Sequence, residues 1–396
     1  MSVGRRGVIL LLIIVAQWAV FEAGLRLSAS SEAAPGFRAL FMPDDRIGYR
    51  LRPGAQTHFA TAEFETDIAI NSSGVRDLPI GPKPPHERRI VILGDSLVMA
   101  VQVPLAQTFA KRLEDRLNAS ATPPARYRVI NAGVQGYGPV EQLLFFERVV
   151  AAFEPDLVLA TVFVGNDATE AAISEWRLTP TTERPAAAVS QEHATRLRRL
   201  LRASVVWQIV RLRLQTALTS LSGPVPERPL AVYLSDESPE IARGLVVTRE
   251  CLANLDRLAA ARHARTALVL MPARLQVDPE DESQLAEIVR RHGGTLVRDI
   301  ATERFRTALS PLNLPTLDVL PVFRASASAG ASASAKGPVG TNAGVSVGAG
   351  ARLFYQQTMH LTPHGHEVLA AALDEFLRER GLLSATAPEH LPAAGR

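Results

Sequence analysis

The chain has 396 residues, 47% of them hydrophobic and 21% charged, with a formal net charge of +3 and one cysteine. That length and apolar content allow a sizeable core, and the near balance of charge removes any reason to expect a nucleic-acid partner. The lone Cys251 excludes an intrachain disulfide, and its helix-like surroundings, residues 249–261, suit a small buried hydrophobe.

In chain order, the first feature is an apolar run, residues 8–21, preceded by Arg5 and Arg6 and ended by Glu22. It is short of the roughly 20 residues that span a bilayer, but Ala23, Gly24 and Leu25 extend it. The two leading arginines favour an N-terminus on the inside. Residues 1–27 therefore read as a membrane anchor, or as a signal segment removed near the small residues 28–33. On either reading the remainder is exported. Residues 28–88 are rich in Pro, Gly and polar residues, with weak alternation at 66–71 and a turn at 72–74, and read as an irregular arm and connector.

From residue 89 to 384 the pattern alternates by period. Strands are expected at 89–93, 127–130, 157–164, 266–271, 295–297 and 317–319, and helices at 105–117, 139–152, 168–176, 239–261, 282–292 and 364–380. Such alternation predicts an α/β domain with a parallel, doubly wound sheet. Two segments break the rhythm. Residues 195–218 carry six arginines and no acid at helical spacing, which fits a basic amphipathic helix on an anionic membrane or a surface helix with a solvated basic side. Residues 324–351 are Ala/Ser/Gly-rich and read as a flexible insertion. Residues 385–396 read as a disordered tail.

The candidate chemistry begins at Arg89-Ile-Val-Ile-Leu-Gly-Asp-Ser-Leu97. An apolar run ending at Gly94 is how a buried parallel strand ends, and Asp95 and Ser96 then lie at its carboxyl end, where open α/β sheets bind ligands. Alone, this stretch is equally an ordinary capped turn. Three further clusters fall beyond other strands: residues 131–138 with three glycines, residues 164–167 with Asn166 and Asp167, and residues 359–366, where Thr362 is a candidate N-cap and Pro363 the first helical residue. A doubly wound sheet lets all of them converge on Ser96. Serine needs a base to take its proton, and His360 suits that task. Acyl transfer also needs donors for an oxyanion, which the Ser96 and Gly136 amides and the Asn166 side chain would supply. Asp95 and Asp167 read as caps or braces rather than titrating groups. His360, His364 and His366 lack the cysteine or aspartate company of a metal site, so no metal and no cofactor are expected.

The order and spacing of Gly94-Asp95-Ser96-Leu97, Gly136, Gly165-Asn166-Asp167 and His360 resemble the SGNH (GDSL) hydrolase family over roughly residues 89–382, the low-complexity insertion excluded. Ser-Gly-Val-Arg-Asp at 73–77 and the preceding anchor resemble its membrane-anchored bacterial subset. The resemblance implies a flavodoxin-like three-layer α/β/α fold, Ser96 as nucleophile, His360 as base, and an oxyanion hole of Ser96, Gly136 and Asn166. It implies removal or transfer of acyl groups on esters, including acetyl groups on polysaccharides. It also implies a single-pass protein of the bacterial inner membrane, with its domain facing the periplasm or cell exterior.

Two positions depart from the family pattern. The aspartate usually found two or three residues before the histidine is replaced by Thr358 and Gln357. That leaves a Ser96–His360 dyad, a substitute acid such as Asp318, or low activity, and a carbonyl from Gln357 could still orient the ring with weaker electrostatic support. Ala100 stands where glycine is common, which would tighten the pocket floor. The expected activity is thus an exported serine esterase acting on an ester or acylated envelope glycan. The alternative is a non-catalytic protein that keeps the crevice to bind glycan or a partner.

Overall fold

The computed structural model describes residues 36–122, 124–179, 228–291, 294–334 and 352–384. The predicted anchor, the basic segment 195–218 and the C-terminal tail lie outside the described residues. Among those described, no helix is long and apolar enough to cross a membrane.

The arm is more regular than its composition suggests. Strands β1 (Phe41–Asp44) and β2 (Gly48–Leu51) form one antiparallel hairpin, and β3 (Gln56–Ala60) and β4 (Glu65–Ala69) form a second. In β4 the burial alternates strictly, with Thr66 and Ile68 inward, as one-sided strands require. Leu40, Ile47, Leu51, Ile68, Ile70 and Val75 of the arm join the main hydrophobic core.

The domain itself begins with β5 (Glu87–Gly94), followed by a short helix α1 (Ser96–Met99). The expected helix 105–117 divides into a single turn at Leu105–Gln107 and α2 (Phe109–Ser120), because Thr108 is extended and caps α2 from its side chain. Next come β6 (Arg126–Gly133), α3 (Pro139–Arg148), β7 (Leu157–Phe163) and α4 (Asp167–Ser174). Beyond residue 228 follow α5 (Pro239–Ala260), β8 (Arg265–Met271), α6 (Arg274–Val277), α7 (Pro279–Arg291) and α8 (Ile300–Leu309). The chain closes with β9 (Thr316–Asp318), α9 (Leu320–Ser334) and α10 (Pro363–Glu379).

Strands β5 to β9 make one parallel sheet in the order β6-β5-β7-β8-β9. Counted within the sheet this is 2-1-3-4-5, the flavodoxin-like doubly wound order. Every residue of β7 is buried, which is why its sequence is apolar at every position but Thr161 rather than alternating. The helices sort into two packed groups, α2 with α9 and α10, and α3 with α4, α5 and α8, as in a three-layer α/β/α sandwich. Cys251 lies buried on α5.

Two expectations are corrected. Residues 295–297 add no strand to the sheet; Leu296 makes only an isolated antiparallel bridge to Leu234, since so short a segment lacks a second paired residue. The insertion does not begin as a loop at 324. Residues 324–334 continue α9, anchored by buried Leu320 and Phe323 and by Arg324, which pairs with Asp299 and donates to Gln276 O at 2.8 Å. Alanine is the strongest helix former, so low hydrophobicity there did not mean irregular backbone. The rest of the insertion lies outside the described residues.

Candidate functional site

Ser96 opens α1 at the carboxyl end of β5, the strand that pairs with β6 on one side and β7 on the other. The turn works because glycine lets backbone approach backbone. A Cβ on Gly133 would lie 2.3 Å from the Met99 amide nitrogen, and one on Gly94 would lie 1.9 Å from Thr161 Oγ1, so α1 can sit directly on the ends of β5 and β6 only with glycine at both. Asp95 caps α1, its Oδ1 accepting from the Leu97 amide at 2.9 Å. Burial nevertheless pushes its carboxyl up to about 6.

Behind Ser96, α1 is ended by Ala100 in the left-handed region, at φ 53°. Its peculiarity is therefore a strained backbone more than a tighter pocket floor. The turn is held by Arg76, only 1% exposed, whose guanidinium donates to Met99 O at 2.9 Å, Ala100 O at 2.5 Å and Val103 O at 2.7 Å. The neighbouring Asp77 accepts from the Asn131 amide at 2.8 Å and pairs with Lys111 and Arg128 at 2.9 Å each. Asn131 in turn donates to Val98 O at 2.8 Å. Relieving the strain by Ala100→Gly is expected to raise stability by about 1 kcal/mol. Urea denaturation checks this, and a loss of stability would mean that the buried methyl outweighs the backbone term.

Gly136 lies beyond β6, exposed and at φ 72°. Its turn is locked from the arm: Tyr49 Oη donates to Gln135 O at 2.7 Å, and Tyr137 Oη donates to Tyr49 O at 2.6 Å. A Cβ at Gly136 would lie 2.7 Å from Tyr49 Oη, so this position requires glycine for space and for conformation.

Asn166 lies beyond β7, so Ser96 and Asn166 flank the β5–β7 crevice where the strand order reverses. Its Nδ2 donates to Glu170 Oε1 at 2.7 Å, one helical turn on, leaving one amide hydrogen for an incoming oxygen. Asp167 braces the strand end, accepting from the Phe163 amide at 3.0 Å. Around them lies a buried acidic group. Asn166 Oδ1, Asp167 Oδ1, Glu170 Oε2 and Glu141 Oε2 are all buried without a hydrogen-bond partner among the described residues. Among the described residues the cation that pairs with this group is Arg177, at 3.2 Å from Glu141. Burial, then the neighbouring Asp95 and Glu141, push Glu170 up to about 7; burial and Glu170 hold Asp167 well above the usual carboxylate range.

His360 sits on the return arm of a small hairpin. Phe354 bridges Leu361, and the Tyr355 amide donates to His360 O at 3.0 Å. Thr362 caps α10, accepting from the Gly365 amide at 3.1 Å, with Pro363 first in the helix. The hairpin is tied to the loop after Ser96 by Tyr355 Oη, which donates to Gln102 O at 3.3 Å. Buried His366 adds a second tie, its Nδ1 accepting from the Phe109 amide at 3.2 Å. Among the described residues no metal-ligating cluster forms.

Both ring nitrogens of His360 are buried without a hydrogen-bond partner, so neither the Ser96–His360 bond nor a bond to an orienting acid is made in this state. Burial lowers its imidazole to about 4. Asp318 is not the substitute acid: it pairs with Arg306 and accepts from the Leu320 amide at 3.0 Å. Gln357 does not support the ring either. Its side chain is exposed, and its contribution is a backbone N–H given to Glu63 at 2.8 Å.

The arm therefore reaches three of the four site turns: Arg76 the nucleophile loop, Tyr49 the Gly136 turn, and Glu63 the histidine hairpin. None of these three, nor Glu170, was singled out from sequence as a site residue. Glu170 could have been found four positions after Asn166, and Arg76 within the noted 73–77 run. Tyr49 and Glu63 left no local signal.

No family model and no curated protein matches the chain. Among solved structures it is similar to TesA, at 14% identity and TM-score 0.37, covering 74% of this chain and 99% of the other. It is similar to an acetylxylan esterase from Geobacillus stearothermophilus, at 15% identity and TM-score 0.37, covering 74% and 94%. A lipolytic protein of the G-D-S-L family from Desulfitobacterium hafniense matches at 12% identity and TM-score 0.34, covering 73% and 99%. At such scores these likenesses say nothing of activity.

Proposed function

We propose that the chain is an exported serine esterase of the SGNH type, anchored or secreted through its N-terminal segment, that removes or transfers acyl groups. The observation that supports this reading is the placement of Ser96, Gly136 and Asn166 at the carboxyl ends of three adjacent parallel strands, with the loop after Ser96 tied to a hairpin whose histidine is neutral, half-buried and without a ring partner among the described residues. Ser96 Oγ attacks the ester carbonyl as His360 takes its proton. The carbonyl oxygen becomes an oxyanion held by the Ser96 and Gly136 amides and the Asn166 side chain. Collapse of the intermediate expels the alcohol, which leaves with the proton from His360. Water or an acceptor hydroxyl then takes the acyl group by the reverse sequence. Acetylated envelope glycan is the substrate class that export would put within reach.

Among the described residues no acid pairs with the His360 ring, so turnover should be slow for a serine esterase. That same feature favours a second reading, a glycan- or partner-binding protein that keeps the crevice without catalysis. Incubation of the full chain with p-nitrophenyl acetate and with a fluorophosphonate probe separates them. The expected result is covalent labelling and turnover, both abolished in Ser96→Ala. Folded wild-type protein that never labels, from mildly acidic to mildly alkaline pH, would leave the binding reading standing.

A further inference from the structure

The tip of the His360 hairpin is held by charges from outside it. Glu63, at the β3–β4 turn of the arm, accepts from two successive amides, Gln356 N through Oε1 at 2.7 Å and Gln357 N through Oε2 at 2.8 Å. On the other side, Arg274 donates to Tyr355 O at 2.8 Å and Gln356 O at 2.5 Å, and is itself held by Asp281. The next residue of the arm, Phe64, packs its ring 5.4 Å from that of Tyr355. Without these partners the tip would have little to hold it, because Gln356, Gln357 and Met359 are exposed.

We propose that Glu63 is a positioning residue for His360: its carboxylate fixes the backbone of the hairpin and so performs, through the main chain, the orienting task that an acid on the imidazole would perform directly. This rests on His360 acting as the base of the proposed esterase. A serine proton moves efficiently only over hydrogen-bond distance, so the ring must be placed to within a fraction of an ångström. In a site with no acid on the ring, backbone placement is what remains. Glu63 serves orientation only. It does not touch the imidazole and gives no direct support to the imidazolium, which is consistent with a slow enzyme.

The test uses the full chain with Glu63→Gln and Glu63→Asp. Glu63→Gln is expected to lower kcat for p-nitrophenyl acetate by roughly tenfold to a hundredfold. KM and the melting temperature should change little, and hydrogen exchange at the Gln356, Gln357 and His360 amides should quicken by roughly tenfold. Glu63→Asp should recover part of kcat. That partial rescue by the shorter carboxylate, with the melting temperature unchanged, is what a purely structural role would not give. A kcat within twofold of wild type in Glu63→Gln would overturn the proposal, as would unchanged exchange at the tip. If wild-type protein neither labels nor turns over, the esterase reading fails by itself. The exchange measurement then still decides whether Glu63 holds the hairpin.

Discussion

Arg76→Met should cost about 3 kcal/mol or more and reduce fluorophosphonate labelling of Ser96 at least roughly tenfold. The guanidinium is buried to 1% exposure and its donors satisfy three carbonyls, Met99 O, Ala100 O and Val103 O. Two of these belong to the end of α1, where carbonyls lack helical partners and a cation is favourable. Burial lowers the Arg76 pKa to about 10, so it remains charged at neutral pH. Removing it orphans Met99 O and Val103 O in a buried setting, at about 1–3 kcal/mol apiece, and leaves Ala100 O with the Val103 amide alone. The loop it releases also carries Gln102 O, the acceptor for Tyr355, so nucleophile and histidine lose their common reference together. Urea denaturation and labelling kinetics read the two effects. Arg76→Lys is the sharper control, because a single ammonium cannot fork to three acceptors. Wild-type stability and labelling in that variant would refute the role assigned to the fork.

Activity is expected to be greatest in mildly acidic solution, and Glu170→Gln should remove the alkaline decline. His360 is neutral, and able to act as base, above its folded pKa of about 4. Glu170, bonded to Asn166, ionises near 7 and then sets a negative charge directly behind an oxyanion donor. The groups facing it are Asp167 on its own helix, Glu141 on α3, Asp95 on α1, Arg177 after α4 and Tyr49 on β2. Among the described residues these acids outnumber the cations, and the causes that act on Glu170 include no cation, so its ionisation is uncompensated. A residual repulsion of about 1.4 kcal/mol would slow acylation roughly tenfold. In Glu170→Gln the side-chain oxygen still accepts from Asn166, so orientation survives while the charge is gone. A pH–rate profile of kcat/KM checks this. An alkaline limb identical in wild type and variant would remove Glu170 from the account.

The same shift has a stability consequence. The pKa of Glu170 is raised from 4.5 to about 7, so its stabilising contribution is fully present below 4.5 and lost as pH rises through about 7. The histidines act oppositely: His360 and His366, lowered to about 4 and about 3, contribute above 6.5 and lose their contribution as pH falls through those values. Glu170→Gln should therefore raise the melting temperature above pH 7 by roughly 2–4 °C, the effect of about 1 kcal/mol in a domain of this size. At pH 5 it should change little.

Much of the sheet was legible because parallel strands are buried on both faces. The runs at 90–93, 157–160 and 267–271 are apolar without a break, a pattern that survives without tertiary information. The helices α3, α5 and α10 were visible for a related reason: each begins at a proline in its first turn, and α5 and α10 also have a side-chain cap from Ser238 and Thr362. The failures were short or weakly patterned segments. Residues 295–297 had strand-like composition but no neighbour to pair with, and residues 324–334 were helical through alanine propensity and the anchoring of Phe323 and Arg324.

The sequence by itself determined which turns carry chemistry-bearing side chains, since Gly94-Asp95-Ser96, Gly136, Asn166 and His360 each follow a strand or precede a helix with a local signature. It also exposed the absence of an acid before His360. Only the tertiary structure decided how those turns are held. Glu63 is 293 and 294 positions from the amides it binds, and Tyr49 is 86 from Gln135. Arg76 is 23 to 27 positions from the carbonyls it joins. A hydrogen bond between distant residues leaves no periodicity in either segment, so neither arm nor loop announces its partner. Burial does the same for charge: Glu170 reads as an ordinary helix acid until Glu141, Asp95 and Asp167 are folded around it.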